Sequence, residues 1–340
     1  MINIRYHVYS LVAVFLALAI GVAAGSTVVQ RSVVDNLRST QGRIEQNLDE
    51  LEAQNAELQE RTGALEGREG SLIDEGPAAL LAGKLTGQPL VLVRTEGTPG
   101  GAVDRVRAVL EVAGAEVVAD VELRAAVNDP EVLAAAGSEL GIVVEDGDPD
   151  QLQAAIGQQL GEAIVAVHDE EASERPSGEL LPDTAPTTEA PAAESAIELE
   201  ELLRQLDDLG VLSFRGPLGE EGVTTAGADL VVLGGPTTDM DPVPFLDGML
   251  SLVAAEAGPM AAAADAALDE PPPEGEEARG IVPTVRGDGR LRDAVTTVDH
   301  VADFAGLSAL VLGLADLDLG QVGHFGVDDG ADSVLPPRRS

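Results

Sequence analysis

From Val8 to Gln30 the chain carries no charged side chain, reading VYSLVAVFLALAIGVAAGSTVVQ. Crossing a hydrocarbon core of about 30 Å takes roughly 20 apolar residues at about 1.5 Å of helical rise each. Lipid offers the backbone no hydrogen bonds, so such a segment spans only as a helix. Arg5 and His7 bound it on one side and Arg31 on the other. The expectation is a transmembrane anchor over residues 1–30, with lipid as its partner through Val8–Gln30. A cleaved signal peptide is the competing reading, with Val8–Ile20 as its apolar region and Val22-Ala23-Ala24 as a small-residue cleavage site. Only Arg5 and the α-amino group would supply its positive end, and the apolar run continues through Val28-Val29, which favours an uncleaved anchor. Gly21 and Gly25 have the spacing of a close-approach membrane dimer, a spacing that an Ala/Gly-rich span also yields by chance.

Behind the anchor, Leu37, Ile44, Leu51, Leu58 and Leu65 recur every seven residues. They read as the d positions of a coiled coil over 31–70, with Val34, Gln41, Leu48, Asn55 and Thr62 at a. Leucine at d with an asparagine at a favours two parallel strands, hence a homodimer or higher oligomer through this interface. Arg61 and Glu66 stand at g and e positions able to pair between chains. An amphipathic helix folded back on its own domain remains the alternative. As a rod, Val34 to Leu65 would hold the following domain roughly 48 Å from the bilayer.

Residues 71–340 read as an α/β domain, Rossmann-like and layered, with a largely parallel sheet. Pro89-Leu90-Val91-Leu92-Val93 and Leu230-Val231-Val232-Leu233 are uniformly apolar, as strands covered on both faces are. Val103–Ala113 reads as the helix that joins the first of these to a strand at Ala115–Leu123, a β-α-β unit with a right-handed crossover. A short helix over Glu75–Thr86 is expected before it. Later helices are expected over Pro130–Leu140, Gln151–Ala166, Ile197–Leu209 and Pro244–Ala257, with a strand at Val211–Phe214. Two more helices are expected near Thr296–Val301 and Leu307–Leu317, before a Gly-rich tail. The Pro-, Thr- and Glu-rich stretch 170–194 and the loop 268–277 read as disordered insertions. The core must be built from Val, Leu and Ala, because aromatics make up 2% of residues and Trp is absent.

Composition also limits the chemistry. A formal charge of −40 argues against nucleic acid and anionic membrane surfaces as partners. With no cysteine there is no disulfide, thiolate metal site or thiol catalysis. Gly97-x-x-Gly100-Gly101 lies between a strand and a helix, with Asp120 where a ribose-binding acid would stand. The spacing is not G-x-G-x-x-G, however, and a tight turn explains it. Asp239-Met240-Asp241 and Asp328-Asp329-Gly330-Ala331-Asp332 could offer carboxylates to a hard cation, but the second lacks the glutamate of a calcium loop. Met249 and Met260 fall in or beside an expected helix as packing residues. His300 and His324 are the weak metal candidates, with Asp299 or Asp303 able to hold either ring instead. No catalytic constellation and no cofactor site is identifiable, so an enzyme is not expected.

Several stretches together resemble the actinobacterial copper transporter family typified by mycobacterial copper transport protein B. They are Met1-Ile2-Asn3-Ile4-Arg5-Tyr6-His7, Ala24-Gly25-Ser26 and Ala79-Leu80-Leu81-Ala82-Gly83-Lys84-Leu85. The most specific lie in the C-terminal part: Val295-Thr296-Thr297-Val298-Asp299-His300-Val301, Gly306, Leu310–Ala315, Gly323-His324-Phe325-Gly326 and Leu335-Pro336. The family pattern leads one to expect Arg after Gly306, where this chain has Leu307. The resemblance implies a membrane-associated protein of the cell envelope with a role in copper efflux and tolerance, copper as a partner, and a pore in the type member. No polar stripe along Val8–Gln30 would line such a pore. A scaffold or adaptor of the envelope without transport is the alternative, and a nucleotide-binding enzyme a more distant one.

If the d-position leucines meet a partner chain, Leu51→Asp with Leu58→Asp should abolish self-association of a fragment lacking residues 1–30, read by sedimentation. Each buried leucine contributes about 1.5–3 kcal/mol, and a buried unpaired carboxylate opposes association further. A wild-type fragment that stays monomeric at micromolar concentration would dispose of the interface.

Overall fold

In this computed structural model the described residues are 7–23, 41, 50–51, 54, 57–59, 61, 76, 80–144, 147–174, 194–220, 223–235, 241–266 and 280–337. The chain divides into two compact units, Met1–Arg68 and Glu69–Ser340. In the first unit residues 7–23 are helical and exposed throughout, Leu11, Phe15, Leu18 and Val22 included. Among the described residues no helix is long and apolar enough to cross a membrane; residues 24–30 of the expected anchor lie outside them. Residues 50, 51, 54, 57–59 and 61 are helical, and Leu51 and Leu58 are exposed. Leu37, Ile44 and Leu65 lie outside the described residues, as does Glu66. Arg61 pairs with Glu57 one turn back, at 2.6 Å.

The second unit is built on a seven-stranded sheet in the order β3-β2-β1-β4-β5-β6-β7. The strands are β1 (Pro89–Thr95), β2 (Glu116–Leu123), β3 (Leu212–Arg215), β4 (Asp229–Gly234), β5 (Ala261–Asp265), β6 (Val295–Val298) and β7 (His324–Phe325). All neighbours run parallel except β3, which pairs antiparallel with β2. Strand order reverses between β1 and β4, the arrangement of a doubly wound sheet.

Side chains alternate across each strand, and the sheet therefore serves two cores. Val91, Val93, Leu230, Val232, Ala261 and Ala263 face one side; Leu90, Leu92, Val231, Leu233, Ala262 and Ala264 face the other. The second side is covered by α1 (Gly100–Ala113) and by α8 (Phe304–Leu317). The first side is covered chiefly by α3 (Pro149–Glu174), α4 (Glu194–Asp208) and α5 (Val243–Glu256), with α2 (Pro130–Glu139), α6 (Ile281–Gly287) and α7 (Gly289–Ala294) at its margins. Helices α3 and α5 touch backbone to backbone. A Cβ on Gly157 would stand 2.0 Å from the Phe245 carbonyl oxygen, and one on Gly248 would stand 2.2 Å from that of Ala154. Only glycine allows that approach.

The α/β layering and most expected elements are present, and several expectations need correcting. Thr296–Val301 is not helical: Val295–Val298 is β6, because Val-Thr-Thr-Val is β-branched throughout and buried on both faces. The tail contains β7, and α6 and α7 fill a stretch for which no element was expected. Ala261–Asp265 is a strand although Ala-Ala-Ala-Ala has helical propensity; complete burial between two parallel neighbours decides it. Of the helix expected over 75–86, residues 76 and 80 are helical, but residues 81–87 form turns, with Gly83 and Gly87 at positive φ. Residues 170–174 continue helix α3 rather than an insertion. Residues 175–193 and the whole loop 268–277 lie outside the described residues.

Asp265 closes β5 in register with Gly234. Its Oδ2 accepts the Val282 N–H at 3.1 Å, while its buried Oδ1 has no partner. Burial raises its pKa from 3.8 to about 6, against the Val282 and Ile281 amides and Arg286, and Asp299 adds to the rise. An acid with a raised folded pKa binds more protons folded than unfolded, so its contribution weakens as pH rises from about 4 through 6. Asp265→Asn keeps an acceptor for Val282 and should raise the melting temperature above pH 6. A shift of this size corresponds to about 3 kcal/mol at most, and the gain should vanish near pH 4. Parallel melting curves for both proteins across that range would refute the assignment.

Candidate functional site

The polar cluster richest in partners lies where β6 and β7 end, at the carboxyl edge of the sheet. Strand β6 points Thr297 and then Asp299 toward α6, whose last turn carries Arg286. Arg286 is 4% exposed and Asp299 is 2% exposed, and they pair through Nη1 and Oδ2 at 2.9 Å. The guanidinium also donates from Nε to the Thr297 hydroxyl and from Nη2 to the Phe325 carbonyl, both at 2.9 Å. Asp299 accepts the Val327 amide on Oδ1 at 2.8 Å and the Asp328 amide on Oδ2 at 3.1 Å. Burial alone would push its pKa upward; the Val327 amide, Arg286, His300 and the Asp328 amide outweigh that and hold the carboxyl below its usual range. Asp299 is therefore an anion at neutral pH, oriented on both oxygens. Gly326 lies directly over it, since a Cβ there would fall 1.9 Å from Oδ1.

The two candidate histidines have different roles. His324 is buried on β7, with Nε2 3.0 Å from the Arg292 carbonyl and Nδ1 2.9 Å from the Thr297 hydroxyl. A carbonyl only accepts, so Nε2 carries the proton and Nδ1 receives the Thr297 O–H. Thr297 in turn accepts from Arg286, which completes an unbroken chain from the Arg292 carbonyl to Asp299. Desolvation and the nearby Arg292 charge lower the pKa of His324, and the ring offers no lone pair to a metal. His300 is the one non-glycine residue at positive φ among the described residues, at 53°. Its Nδ1 lies 3.1 Å from Asp299 Oδ1 and 3.7 Å from Asp328 Oδ2, and its side chain is partly exposed.

The remaining sequence candidates fall elsewhere. Asp303 caps α8 by accepting the Gly306 N–H at 2.6 Å and holds neither histidine. Asp332 pairs with Arg292 at 3.2 Å, Asp241 accepts the Val243 N–H, and Asp239 and Met240 lie outside the described residues. Met249 and Met260 are fully buried core residues, as is Leu307, so the position where Arg was expected belongs to the packing of α8. Asp120 lies beside a cavity of about 410 Å³ lined by Arg94, Arg107 and Arg215. Arg94 pairs with Asp120 and Glu122, and Arg107 pairs with Asp120, so this carboxylate is not offered to a ribose. Arg286 was missed in the sequence. It is one of three arginines, with Arg290 and Arg292, shortly before β6, and nothing local singles it out.

A family model described as "Copper transport outer membrane protein, MctB" matches residues 1–336. The curated relatives include proteins named Copper transporter MctB from Mycobacterium tuberculosis and Mycobacterium bovis, each 28% identical over 98% of this chain and 99% of the relative. The protein of that name from Mycobacterium leprae is 27% identical over 99% of this chain and 100% of its own length.

Removing either end of the polar chain should destabilise the domain. Arg286→Met leaves the Asp299 carboxylate buried without its counter-ion, at a cost of about 3–5 kcal/mol. His324→Ala leaves the Thr297 hydroxyl and the Arg292 carbonyl without the ring, at about 2–4 kcal/mol. Because the folded pKa of His324 is lowered, wild-type stability should fall as pH drops through about 6.5, where the unfolded ring protonates. His324→Ala should lose that part of the slope. A melting temperature unchanged by His324→Ala would mean the ring is not packed as described.

Proposed function

The chain belongs to the MctB copper transport family, and from that premise we propose that it is a membrane-anchored protein of the cell envelope that serves copper efflux and copper tolerance. The observation that carries this reading is the extent of the match, from residue 1 to residue 336, which takes in the apolar N-terminal segment as well as the α/β domain. The exposed apolar helix over 7–23 continues in sequence into the charge-free residues up to Gln30, a length suited to hydrocarbon. One span per chain makes a conducting path only by oligomerising, and the heptad leucines supply the means. A chain with formal charge −40 draws cations toward itself. The N-terminus stays inside and the domain lies outside the plasma membrane, since long domains translocate largely regardless of local charge counts. The role is one of handling an ion, without catalysis.

The described residues favour one further reading, that of an envelope adaptor with no transport activity. Copper(I) takes thiolate, thioether or imidazole ligands. This chain has no cysteine, Met249 and Met260 are sealed in the core, and both nitrogens of His324 are engaged.

A strain lacking the gene should become copper-sensitive and accumulate copper, and restoring the full chain should reverse both. Restoration of growth without change in cell copper would favour the adaptor, and unchanged sensitivity on deletion would remove the copper role. Protease added to intact spheroplasts should cut near 170–194; a protected loop would reverse the orientation.

A further inference from the structure

We propose that Asp299, His300 and Asp328 form a seat for one divalent first-row transition ion, of the class that takes mixed imidazole and carboxylate ligands, such as zinc(II) or copper(II). Their donor atoms, one from each side chain, all lie within 4.8 Å of one another. His300 Nδ1 is 3.1 Å from Asp299 Oδ1 and 3.7 Å from Asp328 Oδ2. An ion with tetrahedral bonds of about 2.0–2.2 Å holds its ligand atoms about 3.3–3.6 Å apart, and the two separations from His300 lie just to either side of that span.

The surroundings do what outer contacts do for a ligating carboxylate, which is to fix its direction. Arg286 and the Asp328 amide hold Oδ2 of Asp299, and the Val327 amide takes one lone pair of Oδ1. The other lone pair faces His300. The left-handed backbone of His300 places its Nδ1 on this oxygen, and Asp328 comes from the loop after β7 to the same point. Arg286 cancels one carboxylate charge and the second remains, so with a neutral ring the cluster is net negative. His300 and Asp328 are 39% and 61% exposed in their side chains, which leaves room for water in the remaining positions.

Proton bookkeeping is simple. A carboxylate only accepts, so in the ion-free site Nδ1 carries the proton it donates to Asp299. When the ion takes that place, the proton moves to Nε2 and a neutral ring releases none. Calcium and magnesium prefer more oxygens than three side chains supply, and copper(I) prefers sulfur. This seat stands on its own geometry and is separate from any passage of copper through the membrane.

The test is calorimetric titration of Zn²⁺ into the full-length protein in detergent, with excess Mg²⁺ present to occupy weak acidic sites. One tight equivalent is expected, accompanied by a rise in melting temperature. Asp328→Asn is exposed and His300→Asn suits a left-handed backbone, so both should fold with near wild-type melting temperatures in the ion-free form. Each should weaken the equivalent by at least about tenfold. Absence of a tight equivalent in the wild type, or its retention in either variant, would overturn the proposal, whatever the outcome of the copper-tolerance experiment.

Discussion

The far edge of the sheet depends on one buried ion pair, Arg286 with Asp299. Strand β7 is two residues long, too short to hold its place through ladder bonds alone. Arg286 reaches it through the Phe325 carbonyl, and Asp299 gathers the amides of Val327 and Asp328 just beyond. The loop is thereby tied to β6 and α6 by side-chain bonds to its backbone. Burying two charges is costly, and an isolated pair rarely recovers that cost. Here each nitrogen of Arg286 and each oxygen of Asp299 has a partner, the condition under which such a pair becomes tolerable. What the pair achieves is position: it sets where β7, Gly326 and Asp328 lie relative to His300.

The rest of the domain reaches its density by other means. With aromatics at 2% of residues, large side chains cannot fill the space between layers. Backbones come closer instead. The alanines of β5 leave both sheet faces shallow in the middle, and Gly157 and Gly248 let α3 and α5 meet at their peptide groups. Interiors tolerate few voids, so a chain poor in bulk must bring its elements together. The glycines of α3, unremarkable in a helical pattern, have that packing reason.

Charge is divided in the same economical way. Against 60 acidic residues stand 20 basic ones, and Arg94 and Arg286 are turned inward. Arg94 and Arg107 meet Asp120, while Arg286 meets Asp299. Cations spent on internal acids do nothing to moderate the acidic exterior. An exterior of one sign repels its own kind and attracts counter-ions over about a Debye length, roughly 8 Å at physiological salt. That property suits a protein of a copper transport family.

Local pattern made the layered α/β class legible. Leu90–Val93 and Leu230–Leu233 are apolar on both faces, and the turn at Gly97–Gly101 leads into a helix that returns the chain to a parallel neighbour. The N-terminal apolar segment was equally plain, because the absence of charge is a property of composition that needs no partner. The seven-residue spacing of Leu37, Ile44, Leu51, Leu58 and Leu65 is likewise read along the chain, but a coiled coil is a matter of contacts with a partner, and Leu51 and Leu58 are exposed. Strand β5 and strand β6 were not legible, since tetra-alanine and a short Val-Thr-Thr-Val run carry no period long enough to decide, and burial between neighbours decided for them. The candidate site was half visible. His300 and His324 stood out as residue types, but which nitrogen is free depends on groups that are distant in sequence. Arg292 and Thr297 consume the ring of His324 across a turn of the fold, and Arg286 aims Asp299 at His300 from another helix. Residue types and periodicities are local quantities and can be read along the chain; hydrogen-bond saturation and donor convergence are set by contacts between elements, and only the folded arrangement supplies them.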